Sequence, residues 1–172
     1  MLTEMKLLKL YQSGREIAST GRLVEATGHT LEGMNESTNE YNMTPHELSY
    51  HIRGAAMEVY NTLGPGLLES VYHKALVFEL ESRGLKVESE VPVEVCYKGE
   101  LMEEDALRLD IVVEDQVVLE LKSVEMLMPI HFKQLRTYLR LYNKELGWLI
   151  NFGAYDFKDG LCSVKLGKED KI

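Results

Sequence analysis

From Thr44 onward, Leu48, Ile52, Ala55, Ala56, Val59 and Leu63 recur three or four residues apart, which places them on one side of a 3.6-residue repeat. Thr44-Pro45-His46-Glu47 has the form of a capping box with proline in the first turn, and Gly64-Pro65 stops the helix. A second helix is expected over roughly Leu67 to Ser82. Leu67, Val71, Ala75 and Phe78 would face the core with Leu68 and Leu76 beside them, and Arg83-Gly84 would end the helix. The repeat then shortens to two. In LKVESEVPVEVCYKGE, Val87, Val91, Val95 and Tyr97 alternate with Glu88, Glu90 and Glu94, which predicts a half-buried strand whose Pro92 belongs at an edge or a bulge. LMEEDAL, residues 101–107, is expected as a loop.

RLDIVVEDQVVLELKS, Arg108 to Ser123, joins two apolar runs at Glu114-Asp115-Gln116 and predicts a hairpin. A helix from about Pro129 to Asn143 follows, then GWLINF, Gly147 to Phe152, apolar on both faces as in a strand covered from both sides. A hairpin-like piece, residues 156–166, comes last. The order helix, helix, three strands, helix, two strands is a mixed α/β pattern. Residues 1–42 lack sustained periodicity and read as a flexible N-terminal extension with a short, weak helix near its start. Residues 43–172 then form the one folded domain.

The hairpin admits two registers. A two-residue turn at Glu114-Asp115 would set Leu109 opposite Glu120 and bring a carboxylate into an apolar row, which is costly. A three-residue loop centred on Asp115 pairs Asp110 with Glu120, Val112 with Val118 and Arg108 with Lys122. It collects Leu109, Ile111, Val113, Val117, Leu119 and Leu121 on one face and leaves Asp110, Glu120 and Lys122 on the other. The hydrophobic pattern selects the second register.

Composition adds exclusions. With 172 residues, 45% apolar and 27% charged, the chain fits a single soluble core. No apolar run reaches the roughly 18 residues of a membrane span. Lys6 and Lys9 interrupt the N-terminal stretch and no small-residue cleavage site follows, so a cytoplasmic location is expected. Cys96 and Cys162 have neither CxxC spacing nor a companion His cluster, which speaks against zinc. The net charge of −9 disfavours broad attraction to nucleic acid while leaving room for a local contact.

The candidate chemistry lies in the hairpin. Opposed residues on paired strands sit about 5 Å apart at Cβ, so Asp110 and Glu120 would repel unless a divalent cation bound between them. Mg²⁺ accepts such carboxylates with water completing its shell. Lys122 lies on the same face, where an ammonium could hold a water or stabilise charge on a phosphate. The same residue types also occur on the wet face of any antiparallel hairpin. Glu69 and Tyr72, three apart in GPGLLESVY, share a helix face. On the helix after the hairpin, Phe132, Leu135, Leu139 and Tyr142 form the core stripe. His131, Gln134 and Tyr138 flank it on one side, and Lys133, Arg136, Arg140 and Lys144 on the other.

GPGLLESVY, VPVEVCYKGE, LRLDIVVEDQVVLELKSVE, HFKQLRTYL and GWLINFG, in this order over about residues 44 to 167, resemble the bacterial GxxExxY proteins of the PD-(D/E)xK nuclease superfamily. The resemblance implies a restriction-endonuclease-like α/β fold, a mixed sheet flanked by helices with an α-β-β-β-α-β core. It also implies a site made of Glu69, Asp110, Glu120 and Lys122, with Gln134 as the polar residue on the following helix and the backbone carbonyl of Leu121 as a further metal donor. The proline of the superfamily name falls at Leu109. The cofactor so implied is Mg²⁺ or Mn²⁺. The implied partners are DNA or RNA, without a membrane, and a second copy of the chain as in dimeric nucleases of this fold. Two functions stay open: a metal-dependent phosphodiesterase, and a catalytically inactive module that keeps the fold as a binding or regulatory surface.

Overall fold

Thr44 caps the first long helix in the manner its sequence requires. Its Oγ1 accepts the Glu47 N–H at 3.3 Å while Glu47 Oε2 accepts the Thr44 N–H at 2.7 Å, which satisfies two orphan donors reciprocally. Thr44→Ala should cost about 1 kcal/mol, read as a lower midpoint in urea unfolding with an unchanged slope. The computed structural model describes residues 43–167 and, before them, two short strands, β1 (Arg15–Ile17) and β2 (Leu23–Glu25). The chain divides into two units between Asn42 and Met43. In the first, β1 and β2 pair antiparallel. The helix and flexible stretch expected there otherwise lie outside the described residues.

In the second unit the elements are α1 (Pro45–Leu63), α2 (Glu69–Ser82), β3 (Val87–Tyr97), β4 (Glu100–Val113), β5 (Val117–Lys122), α3 (Pro129–Leu141), β6 (Leu146–Asn151) and β7 (Leu161–Lys165). This is the order the periodicities predict. The strands form one open sheet in the order β3-β4-β5-β6-β7, antiparallel except for the β5–β6 pair. That pair is parallel because α3 carries the chain back across the sheet, as a parallel connection requires.

Both faces of the sheet are covered. Leu48, Ile52, Ala55 and Val59 of α1, with Tyr72, Leu76 and Leu80 of α2, pack on Ile111, Val113, Val117, Leu119 and Leu121. On the opposite face Leu135 and Leu139 of α3 pack on Leu109, Val112, Val118 and Leu149. β5 lies at the centre and β6 beside it, buried on both sides as GWLINF suggests. The mixed sheet flanked by helices is the restriction-endonuclease-like architecture.

Three local expectations are corrected. Residues 101–107 are strand, not loop: the β3–β4 ladder runs on to Tyr97↔Glu100 and closes through Lys98-Gly99, both at positive φ (52° and 84°). This two-residue turn joins the strands, and the ladder shifts register between Val93 and Val95 and again between Val95 and Cys96. On α2, Val71 and Phe78 are exposed and Tyr72, Leu76 and Leu80 are buried. Apolar residues surround most of this helix, so its pattern does not select a face; Tyr72, stacked on Phe152 at 4.5 Å, fixes it. Leu109 joins Val112 rather than Ile111. The β3–β4 ladder skips Glu90 and Asp110, and Glu90 has a φ of 53°, so strand alternation is reset there.

Candidate active site

The hairpin register is the three-residue one, with Val113↔Val117, Val112↔Val118 and Ile111↔Leu119. Glu114 and Asp115 both adopt the left-handed region at φ 51°, an uncommon conformation for residues with a Cβ. Each gains a partner in return. Glu114 Oε1 accepts the Lys86 N–H at 2.7 Å, and Asp115 Oδ1 pairs with Lys144 Nζ at 2.7 Å. This register places Asp110 and Glu120 at the open end of the hairpin. There the ladder gives way to a side chain, because Asp110 Oδ2 accepts the Leu121 N–H at 2.7 Å.

Glu120 is 2% exposed, so its face of the hairpin is not a solvated one at this position. α3 covers that face. Glu120 Oε1 accepts from Lys122 Nζ at 2.7 Å, and its buried Oε2 has no hydrogen-bond partner. Burial pushes the Glu120 carboxyl up to about 7; the charges of Asp110 and Glu69 add to this, against the pull of Lys122. Burial also raises Asp110, opposed by the Leu121 N–H and the charges of Lys122 and His73. Burial lowers Lys122, but its hydrogen bond to Glu120 and the charges of Glu120, Asp110 and Glu69 outweigh this and hold the ammonium above its ordinary value. One cation thus faces three carboxylates.

Glu69 begins α2 and lines a cavity of about 160 Å³ with Ser70, His73, Glu90, Asp110 and Leu121. Its approach depends on the turn before it. Gly64 and Gly66 have φ of 68° and 102°, the latter open only to glycine at low cost. Tyr72 Oη donates to the Gly64 carbonyl at 2.6 Å and accepts from the Leu67 N–H at 3.0 Å. Ser123 Oγ, just past β5, donates to the Leu67 carbonyl at 2.7 Å. Gly66 and Tyr72 therefore brace the turn that delivers Glu69. Tyr72→Phe leaves two backbone groups of this turn without their partner and should cost about 1–3 kcal/mol, seen as a lowered melting temperature with an unchanged fold by circular dichroism.

The remaining sequence candidates have local partners. Gln134 Nε2 donates to Tyr138 Oη at 2.8 Å, and His131 Nδ1 accepts the Met128 N–H at 3.0 Å as a cap on α3. Lys144 of the basic stripe is taken by Asp115. The structure also brings in residues that pattern reading passes over. His73 Nε2 lies 2.9 Å from the Asp110 carbonyl and 3.0 Å from Ser89 Oγ. It follows Glu69 by four residues, a spacing that signals a shared face. Asn151 is buried in β6 beside Lys122. Its side chain accepts the Val124 and Gly153 N–H groups and donates to the Val124 carbonyl, pinning the exit of β5. A single amide inside GWLINF was the available clue.

Among the described residues no three His, Cys, Asp or Glu side chains form a ready metal cage. The donor chemistry nevertheless suits a hard divalent cation: the buried Glu120 with an unpartnered oxygen, the half-buried Asp110 beside it, and Glu69 and Glu90 at the cavity that Asp110 lines. No helix among the described residues is long and apolar enough to cross a membrane. A family model for the PD-(D/E)XK nuclease superfamily matches residues 46–164. Nothing matches among curated proteins or among solved structures.

Proposed function

The chain belongs to the PD-(D/E)XK nuclease superfamily, and on that premise we propose that it is a metal-dependent phosphodiesterase that hydrolyses DNA or RNA. The observation that carries this reading is Glu120, a buried carboxylate with an unpartnered oxygen, set beside Asp110 and held by Lys122. A buried charge with an unmet acceptor is costly. A cation bound by Glu120 and Asp110 would relieve both the repulsion and the unmet oxygen.

In this reading Asp110 and Glu120 hold Mg²⁺ or Mn²⁺, with the Leu121 carbonyl and Glu69 completing the protein donors. The ion, when bound, supplies charge stabilisation and a more acidic water. Lys122 keeps its ammonium beside Glu120, where it positions the attacking water and offsets negative charge growing on the phosphate. Glu69, on the braced turn, orients water at the cavity mouth. Gln134 orients substrate or water from α3. Incubation with Mg²⁺ or Mn²⁺ and single-stranded, duplex and structured nucleic acids tests the proposal. Wild type should cleave at least one class and Lys122→Ala should not; equal traces from both would sink it.

A further inference from the structure

A second place suited to a ligand lies between α1 and β7. Two adjoining cavities of about 470 and 390 Å³ share Tyr50, Arg53 and Trp148, within the size range of small-molecule sites. None of their lining residues belongs to the cavity around Glu69 and Asp110. Arg53, Arg83 and Lys158 line the larger one and Lys165 the smaller, with Glu145 the one carboxylate in either lining. Such a concentration of cations is unexpected on a chain of net charge −9. Arg83 pairs with Glu79 at 2.6 Å. It also reaches the cavity across Gly54, where a Cβ would lie 2.9 Å from Arg83 Nη1. Among the described residues, Arg53, Lys158 and Lys165 have no ion-pair partner.

The aromatic groups complete the pattern. Tyr50 is 70% exposed. The Trp148 ring is fixed by a 3.0 Å bond from Nε1 to Ser49 Oγ, and the Arg53 guanidinium lies 5.8 Å from its centroid. An exposed ring beside a row of cations is the chemistry that accepts a base and its phosphate together, since every base offers a π-face and phosphate offers charge. We infer that the Tyr50–Arg53–Trp148 cleft binds a nucleotide, its base on Tyr50 and its phosphate on Arg53 and Lys158. This binding does not depend on the phosphodiesterase reading. The nucleotide is either free or a unit of a single strand.

Trp148 is the one tryptophan of the chain, so its emission reports on this cleft alone. The full chain, with chelator present to silence metal-dependent hydrolysis, is titrated with 5′-AMP, with a dT oligonucleotide of about 12 residues, and with inorganic phosphate. Saturable quenching by AMP or by the oligonucleotide is expected. The affinity should fall about tenfold in Tyr50→Ala and in Lys158→Ala, both substitutions of exposed side chains, and stay unchanged in Lys133→Ala, an exposed cation of α3 outside both linings. Response to AMP assigns the cleft to free nucleotide, and response to the oligonucleotide alone assigns it to a strand. Quenching by phosphate equal to that by AMP and the oligonucleotide would overturn the inference, as would no saturation with either, or equal affinities in wild type, Tyr50→Ala and Lys158→Ala. Loss of cleavage in Lys122→Ala bears only on the phosphodiesterase reading.

Discussion

Asp110→Asn is expected to lower Mg²⁺- or Mn²⁺-dependent cleavage by on the order of a hundredfold or more while leaving the fold intact. The substitution is isosteric, and the Asn oxygen can still accept the Leu121 N–H that Asp110 Oδ2 accepts now. What disappears is one negative charge, from a position where burial already raises the cost of carrying it. The variant therefore separates charge from architecture. Asp110→Asn, Lys122→Ala and the double variant should all fall to a similar floor, because groups that act on one phosphate as a unit are strongly non-additive. Initial rates on a substrate that wild type cleaves give the measurement. An Asp110→Asn enzyme as fast as wild type would show that the cleavage does not pass through this site.

How far the sequence reaches toward this site depends on which force sets each feature. The register centred on Asp115 was legible from the alternation of Val117, Leu119 and Leu121 with Val118, Glu120 and Lys122, although the structure buries Glu120 all the same. That alternation is a local signal. The first helix was equally legible, since its cap and apolar stripe agree. The face of α2 was not: Val71 and Phe78 offer as much apolar surface as Leu76 and Leu80. The choice rests on long-range contacts of Tyr72, with Phe152 and with the Gly64 carbonyl. The strand over residues 101–107 was hidden for a related reason. Its acidic residues are poor strand formers by composition, and a turn at Lys98-Gly99 together with an existing partner strand overrides that preference.

Among the site candidates, spacing within one element predicted grouping well and failed between elements. Asp110, Glu120 and Lys122 come together because a single hairpin carries them. Glu69 reaches the same cavity through a glycine turn whose hydrogen bonds come from Tyr72 and Ser123. Only the resemblance to a known family anticipated that meeting. Gln134 and His131 engage partners on or beside their own helix, bonds that a wheel diagram does not show.

Glu120→Gln should make the metal-free protein more stable at pH 8, by about 2–3 kcal/mol. Glu120 is buried, its Oε2 has no partner, and Asp110 and Glu69 both lie close enough to disfavour its charge. Its carboxyl is pushed from an ordinary 4.5 up to about 7, so between those values the folded state holds a proton that the unfolded chain releases. The associated stability is complete below 4.5 and is lost as pH rises through 7. At about 1.4 kcal/mol per pH unit the loss amounts to about 3 kcal/mol. Glutamine keeps an oxygen for Lys122 Nζ and removes the charge, so the decline between pH 4.5 and 7 should flatten. For a domain of this size the gain at pH 8 corresponds to roughly 5–10 °C in melting temperature. Thermal unfolding in chelator at pH 5 and pH 8 measures it. Adding Mg²⁺ should then raise the wild-type melting temperature at pH 8 and leave Glu120→Gln nearly unmoved, because a ligand stabilises only the state that binds it. A wild type more stable than Glu120→Gln at pH 8 in chelator would mean that the ion pair with Lys122 outweighs the burial of the charge. The cost that makes this carboxylate a cation-binding group would then be absent.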